Sequence, residues 1–410
     1  MIRSLRGMRD LLFQDSQKFE FILETASNIA KNYGFELIRT PVLEESALFK
    51  RSVGESSDIV GKEMYQFIDK SGNDVCLRPE GTAGVVRAFI QKKLDRQQGK
   101  FRFFYSGAMF RYERPQKGRF REFFQFGVES FGEERVEEDF FIILMAKDIL
   151  KALGVNFELQ INSLGCKDCM PKYRENLISD LENIQDELCQ DCQRRIKTNP
   201  IRVLDCKNPS CQALLKNSPK ITDNLCQSCQ NDFERLKELL KKAEVEFKVN
   251  KNLVRGLDYY TKTAFEFISS QAGAQNAIAG GGRYDRLVEF LGGKPTAAVG
   301  FAIGIDRVME IMQSLEQKRE GFYLGALNQE AVDELLMIAK TLRENREKVE
   351  VEYSKKSLKS HLKSADKINS KYALILGEEE LKNGKIWIKD LENSKENLLS
   401  LEEILQKNYW

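Results

Sequence analysis

Apolar residues recur with two periods along the chain, and the switches between them outline its elements. Over SQKFEFILETASNIAKNY (16–33) they fall at Phe19, Ile22, Ala26, Ile29 and Ala30. That spacing keeps one helix face apolar, and Gly34 is placed to stop the helix. FELIRTPVL (35–43) reads as a strand ending near Pro41, whose missing N–H assigns it to an edge or a strand end. Residues 101–113 and 120–131 read as two strands joined by the turn Pro115-Gln116-Lys117-Gly118. EERVEEDFFIILMAKDILKALG (133–154) reads as a helix and FELQINSLG (157–165) as another strand.

Residues 166–245 change character: aromatics become few, and paired cysteines alternate with charged helices, ending in NDFERLKELLKKA. This stretch reads as an insertion. From about 321 the pattern changes again. FYLGAL, VEVEYS, YALILG and KIWIKD are strand-like, and two amphipathic helices, EAVDELLMIAKTLREN and SLKSHLKSADKIN, alternate with the first three. That is the pattern of a small α/β domain. The expected organisation is a core over 1–320, a cysteine-rich insertion over 166–245 inside it, and a second domain over 321–410.

Composition narrows the function. A chain of 410 residues is too long for one ordinary core, and 42% hydrophobic with 31% charged residues describes a soluble globular enzyme. The longest strongly apolar run, FFIILMA (140–146), cannot cross a bilayer, so no membrane partner is expected. MIRSLRGMRDLLFQDSQKFEF has no apolar signal core before its charges, and a cytoplasmic location is expected. The formal net charge is +2, so any nucleic acid must be met by local basic patches rather than by the overall field. His361 is the single histidine and lies far from every other chemical motif. That excludes Ser/His/Asp and Cys/His hydrolase chemistry.

The densest chemistry surrounds the turn between the two central strands. Alternation places Phe103, Tyr105, Gly107, Met109, Arg111 and Glu113 on one face of the first, and Phe123, Gln125, Gly127 and Glu129 together on its partner. Arginine, amide and carboxylate beside glycines suit the floor of a polar ligand site, with the glycines leaving room for the ligand. Arg114, Lys117, Arg119 and Arg121 add a cluster whose guanidinium forks match phosphate oxygens two at a time. A solvated basic hairpin is the competing reading. Two common nucleotide loops are absent: GESSDIVGKE (54–63) has the wrong glycine spacing for a P-loop, and AGGGRYD lacks the dinucleotide-binding pattern.

FRFFYSGAMFRYERPQKGRFREFFQFGVE resembles motif 2 of class II aminoacyl-tRNA synthetases, AVGFAIGIDRV their motif 3, and GFELIRTPVLEE their motif 1. RPEGTAG and LVRGLDYYTKTAFEF resemble the pattern peculiar to histidyl-tRNA synthetases, and the likeness runs from RGMRD to YALILGEEELKNGKIWIKDLE. The resemblance implies an α+β fold: an antiparallel catalytic sheet flanked by helices, an inserted subdomain, and a C-terminal α/β anticodon-binding domain. It implies ATP-dependent ligation of L-histidine to tRNA(His) with ATP and Mg²⁺, and a homodimer through motif 1 (about 16–43).

Site roles follow from the same resemblance. Arg111 would hold the α-phosphate, Arg119 and Arg307 the distal phosphates, and Phe123 would stack on adenine. Arg307 also falls at the expected start of a helix, whose dipole favours phosphate. Arg255 would lie against substrate carboxylate and α-phosphate; with Arg111 it is the catalytic candidate, and a salt bridge with Asp258 is the plainer alternative. Glu80, Thr82 and Gln125 would accept from the α-ammonium. Glu129 and Tyr260 would read the imidazole, with Tyr259 and Tyr284 as walls. Gln116, Lys117 and Arg121 would meet the tRNA acceptor end, and KKSLKSHLKSADK (355–367) the anticodon arm. Phe124 stands where many relatives have histidine; alternation points it away from the ligand face.

Eight of the nine cysteines lie between 166 and 229. Cys189, Cys192, Cys206 and Cys211 have ribbon-like spacing for a structural zinc, with Cys166/Cys169 and Cys226/Cys229 bracketing them. The family does not generally require zinc, and reduced thiols in a helical insertion are the competing reading. A non-catalytic histidine-sensing regulatory paralogue of histidine biosynthesis is the rival to the enzyme. Such proteins typically lose the LVRGLDYY arginine and the C-terminal domain, both present here.

Overall fold

The computed structural model describes residues 2–54, 59–113, 119–206, 208–255, 257, 259–273, 276–315, 318–407 and 409. They fall into two units, Met1–Ser314 and Leu315–Trp410.

The first unit is built on an eight-stranded sheet. Its strands run, across the sheet, Glu36–Leu37, Phe101–Phe110, Glu122–Phe131, Ala298–Gly304, Ala277–Arg283, Thr261–Ile268, Glu158–Ser163 and Lys248–Val249. The central six pair antiparallel, and only the two outermost pairings are parallel. This is the expected antiparallel sheet flanked by helices. The anticipated first helix spans Gln14–Asn32, buries Ile22, Ala26 and Ala30, and ends at Gly34 with φ 80°. It lies with Val136–Ala152 and Gln227–Lys242 on one face of the sheet. Buried Arg283 ties that layer down: Nε donates to Asp139 Oδ2 at 3.0 Å and Nη1 to the Glu133 carbonyl at 2.9 Å.

Register fixes which side chains face away from those helices. Tyr105 pairs with Gly127, Gly107 with Gln125, and Met109 with Phe123. The alternation read from the sequence therefore holds, and Phe124 turns to the helix side, its ring 4.8 Å from Phe19. One expected strand is split. Residues 35–43 give Glu36–Leu37 at the edge of the large sheet, whereas Leu43–Glu45 joins a separate three-stranded sheet with Asp74–Leu77 and Tyr65–Ile68. Pro41 cannot donate to a ladder, and between the two strands Arg78 takes the Thr40 carbonyl at 3.1 Å.

The insertion carries the helices Met170–Asn183, Gln190–Thr198, Pro209–Leu214 and Gln227–Lys242 around a core of Tyr173, Leu177, Leu181, Cys192, Ile196, Cys211 and Cys229.

The second unit has five strands ordered Val349–Glu352, Phe322–Ala326, Tyr372–Leu376, Ile386–Asp390 and Glu396–Leu399. The first three are parallel, joined through helices Glu330–Glu344 and Leu358–Lys367, as the pattern predicts. The fifth, Glu396–Leu399, has none of the β-branched or aromatic residues that mark the other four in the sequence. His361 is buried here, its Nε2–H donating to the Ala326 carbonyl at 2.9 Å. Nδ1 must then accept from the Tyr323 hydroxyl, at 2.8 Å. Burial holds this imidazole below its ordinary value.

Candidate active site

A cleft of about 590 Å³ opens on the sheet face opposite the helix layer. At one end, three arginines from two stretches of chain converge. Arg111 follows the strand Phe101–Phe110; its Nε donates to the Pro79 carbonyl at 2.9 Å and its guanidinium stands 5.2 Å from the Phe123 ring. Arg119 pairs with Glu113 across the base of the turn. Arg307, in the helix Ile305–Ile311 that follows Gly304, donates Nη1 to the Ala277 carbonyl. Burial pulls all three guanidiniums below their ordinary value, and for Arg119 and Arg307 repulsion between the arginines adds to it. A phosphate chain would relieve both effects, because it brings negative charge into the space where these cations crowd.

Asp306 braces this end. It accepts from Arg9 Nη2 at 2.7 Å and from the Phe124 N–H at 2.6 Å, joining the N-terminal RGMRD segment to two of the site's elements. Its place directly before Arg307 is the one signal for it in the sequence.

At the other end lies a niche of carboxylates and phenols. Glu80 accepts from the N–H groups of Thr82 (2.6 Å) and Ala83 (2.9 Å), starting the helix Thr82–Gln91 and turning Thr82 inward. Glu129, 1% exposed, accepts from Thr82 Oγ1 at 2.7 Å, from Tyr105 at 3.4 Å and from the Tyr284 hydroxyl. Burial pushes its carboxyl up to about 8, and that of Glu80 up as well. The rings of Tyr259 and Tyr260 lie 4.8 Å apart, with Tyr284 5.7 and 6.4 Å from them.

Arg255 crosses between the two ends. It pairs with Glu266 and stands 5.5 Å from the Tyr260 ring. A Cβ on Gly280 would come within 2.6 Å of its Nη1, so the strand must be bare beneath it. Buried Nε has no hydrogen-bond partner among the described residues. Burial pulls this guanidinium down, but Glu266 and the neighbouring tyrosines outweigh it, and the net direction is up. Asp258 lies outside the described residues; the carboxylate that meets Arg255 is Glu266, which sequence reasoning did not single out.

The cleft thus gathers Glu80, Thr82, Arg111, Arg119, Phe123 and Gln125 with Arg255, Tyr259, Tyr260 and Arg307. Glu129 and Tyr284 stand just behind the lining and reach it through Thr82 and Tyr105. Two expectations need correcting. The glycines on the central strands make room for protein side chains: a Cβ on Gly107 would fall 2.2 Å from Arg78 Nη2, and one on Gly127 2.3 Å from Tyr105 Cζ. Tyr105, unassigned from the sequence, is therefore part of the niche; its place opposite Gly127 was the available signal. Arg121 stays out of the cleft, 3.7 Å from the Tyr112 ring with Nε on the Glu113 carbonyl at 3.3 Å. Gln116 and Lys117 lie outside the described residues.

The cysteines form two quartets. Cys189, Cys192, Cys206 and Cys211 bring their sulfurs within 4.8 Å of one another, and so do Cys166, Cys169, Cys226 and Cys229. All are free thiols. Gln212, beside Cys211, lines the cleft. Among the described residues no helix is long and apolar enough to cross a membrane.

The family model for histidyl-tRNA synthetase matches residues 7–308, and that for the anticodon binding domain matches 321–407. A histidine–tRNA ligase of Sulfurovum sp. (strain NBC37-1) is 62% identical over 404 residues, covering 98% of this chain and 100% of the relative. One from Sulfurimonas denitrificans is 60% identical over 402 residues, with 98% and 100% covered. Among solved structures, apo S. aureus histidyl-tRNA synthetase superimposes with a TM-score of 0.84 at 32% identity, covering 99% of each chain.

Proposed function

Because the chain belongs to the histidyl-tRNA synthetase family, we propose that it joins L-histidine to tRNA(His) in two steps within this cleft. In the first, a carboxylate oxygen of histidine attacks the α-phosphorus of ATP, a P–O bond forms, and pyrophosphate leaves with the electron pair of the bond that breaks. In the second, a hydroxyl of the terminal tRNA ribose attacks the carbonyl of histidyl-adenylate and AMP leaves. The observation that carries this reading is the meeting of Arg111, Arg255 and Arg307 around one cavity, beside a niche that ends in Glu129.

Such chemistry asks the protein to position anions and neutralise charge. Arg111 holds the α-phosphate, Arg119 and Arg307 the distal phosphates, and Phe123, already beneath Arg111, stacks on adenine. Arg255 bridges substrate carboxylate and α-phosphate, supplying a fixed cation where charge develops. Glu80, Thr82 and Gln125 take the α-ammonium. Tyr260 and Glu129, with Tyr259 and Tyr284 closing the walls, read the two imidazole nitrogens, one a donor and one an acceptor in the neutral ring. A pocket that satisfies both nitrogens rejects isosteres strongly.

Mg²⁺ accompanies ATP. Glu113 and Glu266, cleft carboxylates paired with Arg119 and Arg255, offer the oxygen ligands that Mg²⁺ takes; they would hold it, and it would supply positive charge against the phosphates. Cys189, Cys192, Cys206 and Cys211 hold a structural zinc. Gln116, Lys117 and Arg121 meet the acceptor end, and the basic helix Leu358–Lys367 the anticodon arm. Exposed Phe21, Leu37, Val42 and Leu43 along motif 1 support a homodimer there. The catalytic core spans 1–320 with its insertion at 166–245, the anticodon-binding domain spans 321–410, and the enzyme works in the cytoplasm.

Arg255 and the second unit argue against a histidine-sensing regulatory role. The test is histidine-dependent exchange of pyrophosphate into ATP. The parent should exchange and Arg255→Ala should lose about 100-fold, as expected when a charge-stabilising donor is removed. Full exchange in the variant would refute the role given to Arg255, and none in the parent would return the regulatory reading.

A further inference from the structure

We propose that Cys166, Cys169, Cys226 and Cys229 bind a second structural zinc ion, and that this site anchors the segment carrying Arg255, Tyr259 and Tyr260 at the amino-acid end of the cleft. A zinc ion with four tetrahedral Zn–S bonds of about 2.3 Å sets its sulfurs about 3.8 Å apart. Cys166 Sγ lies 3.7 Å from Cys169 Sγ and 3.8 Å from Cys226 Sγ. A disulfide would need about 2.05 Å, and a four-iron cluster spreads its cysteine sulfurs wider than these contacts. Two backbone amides donate to the quartet: Asp168 N–H to Cys166 at 3.4 Å and Cys226 N–H to Cys169 at 3.1 Å. Donors aimed at sulfur suit thiolates, the form that ligates metal.

The quartet closes the insertion at its root. Cys166 and Cys169 follow the strand Glu158–Ser163 through Gly165, whose φ is 66° and whose Cβ would come within 2.7 Å of the Cys169 Cβ. Cys226 caps the helix Gln227–Lys242 that returns to the sheet. The same root grips the histidine-side strand: Lys262 N–H donates to the Gly165 carbonyl at 2.7 Å, and Leu164 N–H to the Lys262 carbonyl at 2.6 Å. Val254 and Ala264 are buried in the core that holds Cys169 and Cys229, with Tyr260 packed against it. Both ends of the segment bearing Arg255 and Tyr260 are thus seated in a core that the metal closes. Arg111 and Arg307 are held elsewhere.

The positioning half of this inference rests on the function proposed above; the metal itself does not. Metal analysis of the purified full chain after dialysis should find two zinc ions per chain, one for each quartet. Cys226→Ser with Cys229→Ser should leave one, whereas Cys226→His, which keeps a ligand, should retain both. In pyrophosphate exchange the double variant should raise KM for histidine by about tenfold, the scale of losing support behind a site, with KM for ATP held. One zinc in the parent that Cys226→Ser with Cys229→Ser leaves in place, or iron instead of zinc, would overturn the second site. Loss of zinc with an unchanged KM for histidine would overturn its positioning role. Two zinc ions in a parent that exchanges no pyrophosphate would leave the site standing and sink the catalytic reading instead.

Discussion

Replacing Glu129 by glutamine removes one titrating proton from the floor of the niche while keeping the shape of the side chain. Burial lifts this carboxyl from its ordinary 4.5 to about 8. Each tenfold change in proton affinity is worth about 1.4 kcal/mol, so holding Glu129 ionised in the folded chain costs about 5 kcal/mol. The folded state binds the proton more tightly than the unfolded one. The stability is therefore fully present below pH 4.5 and is lost as pH rises through about 8. For a unit of Met1–Ser314 the melting entropy is about 0.7 kcal/mol/K, which converts the loss to about 7 °C. Melting curves of the parent and of Glu129→Gln, taken from pH 5 to pH 9, isolate the effect as their difference. The parent's transition for this unit should fall toward the alkaline end relative to the variant. Parallel curves across that range would refute the claim that burial keeps this carboxyl protonated.

Asp139→Ala leaves the buried Arg283 guanidinium with Asp285 as its remaining carboxylate and should cost about 3 kcal/mol, the low end for breaking a buried pair, read by denaturant melts; an unchanged midpoint would refute the anchoring role. Gly127→Ala sets a Cβ against the Tyr105 ring and should raise KM for histidine with little change for ATP in pyrophosphate exchange; equal effects on both would count against placing Tyr105 at the amino-acid end. His361 is held neutral by burial, so its stabilisation is present above its ordinary 6.5 and declines as pH falls below it. Hydrogen exchange of the strand Phe322–Ala326 should be faster at pH 5 than at pH 7.5 after correction for intrinsic rates, and equal protection would sink the idea.

Much of the architecture was legible because period and polarity agree. The alternation from Phe103 to Met109 and from Phe123 to Glu129 assigned faces that the register confirms, down to Phe124 on the helix side. The helix 16–33 and the three parallel strands of the second unit followed from equally simple patterns. What stayed hidden depends on long-range partners. Nothing local to Glu266 marks it as the carboxylate for Arg255, since only the register of Glu266 against Gly280 brings the two together. The glycines misled for the same reason: a bare strand position signals that something lies over it, but Arg78 and Tyr105 arrive from elsewhere in the fold. Residues 35–43 looked like one strand because their apolar content is continuous, and the break appears only when two different sheets compete for its ends.

Two arginines of the cleft, and Arg78 behind it, are held by main-chain carbonyls: Arg111 by that of Pro79, Arg307 by that of Ala277, Arg78 by those of Thr40 and Ala108; Arg119 and Arg255 rest on Glu113 and Glu266 instead. A carbonyl survives any exchange of the side chain it belongs to. Positions 79, 277 and 108 can therefore drift over generations without dislodging these cations, so long as the backbone trace is kept; Thr40, whose hydroxyl also accepts from Arg78 at 3.2 Å, is less free. The aim of the guanidiniums is in this sense inherited from topology, and a designer wishing to move one must bend a strand rather than swap a neighbour.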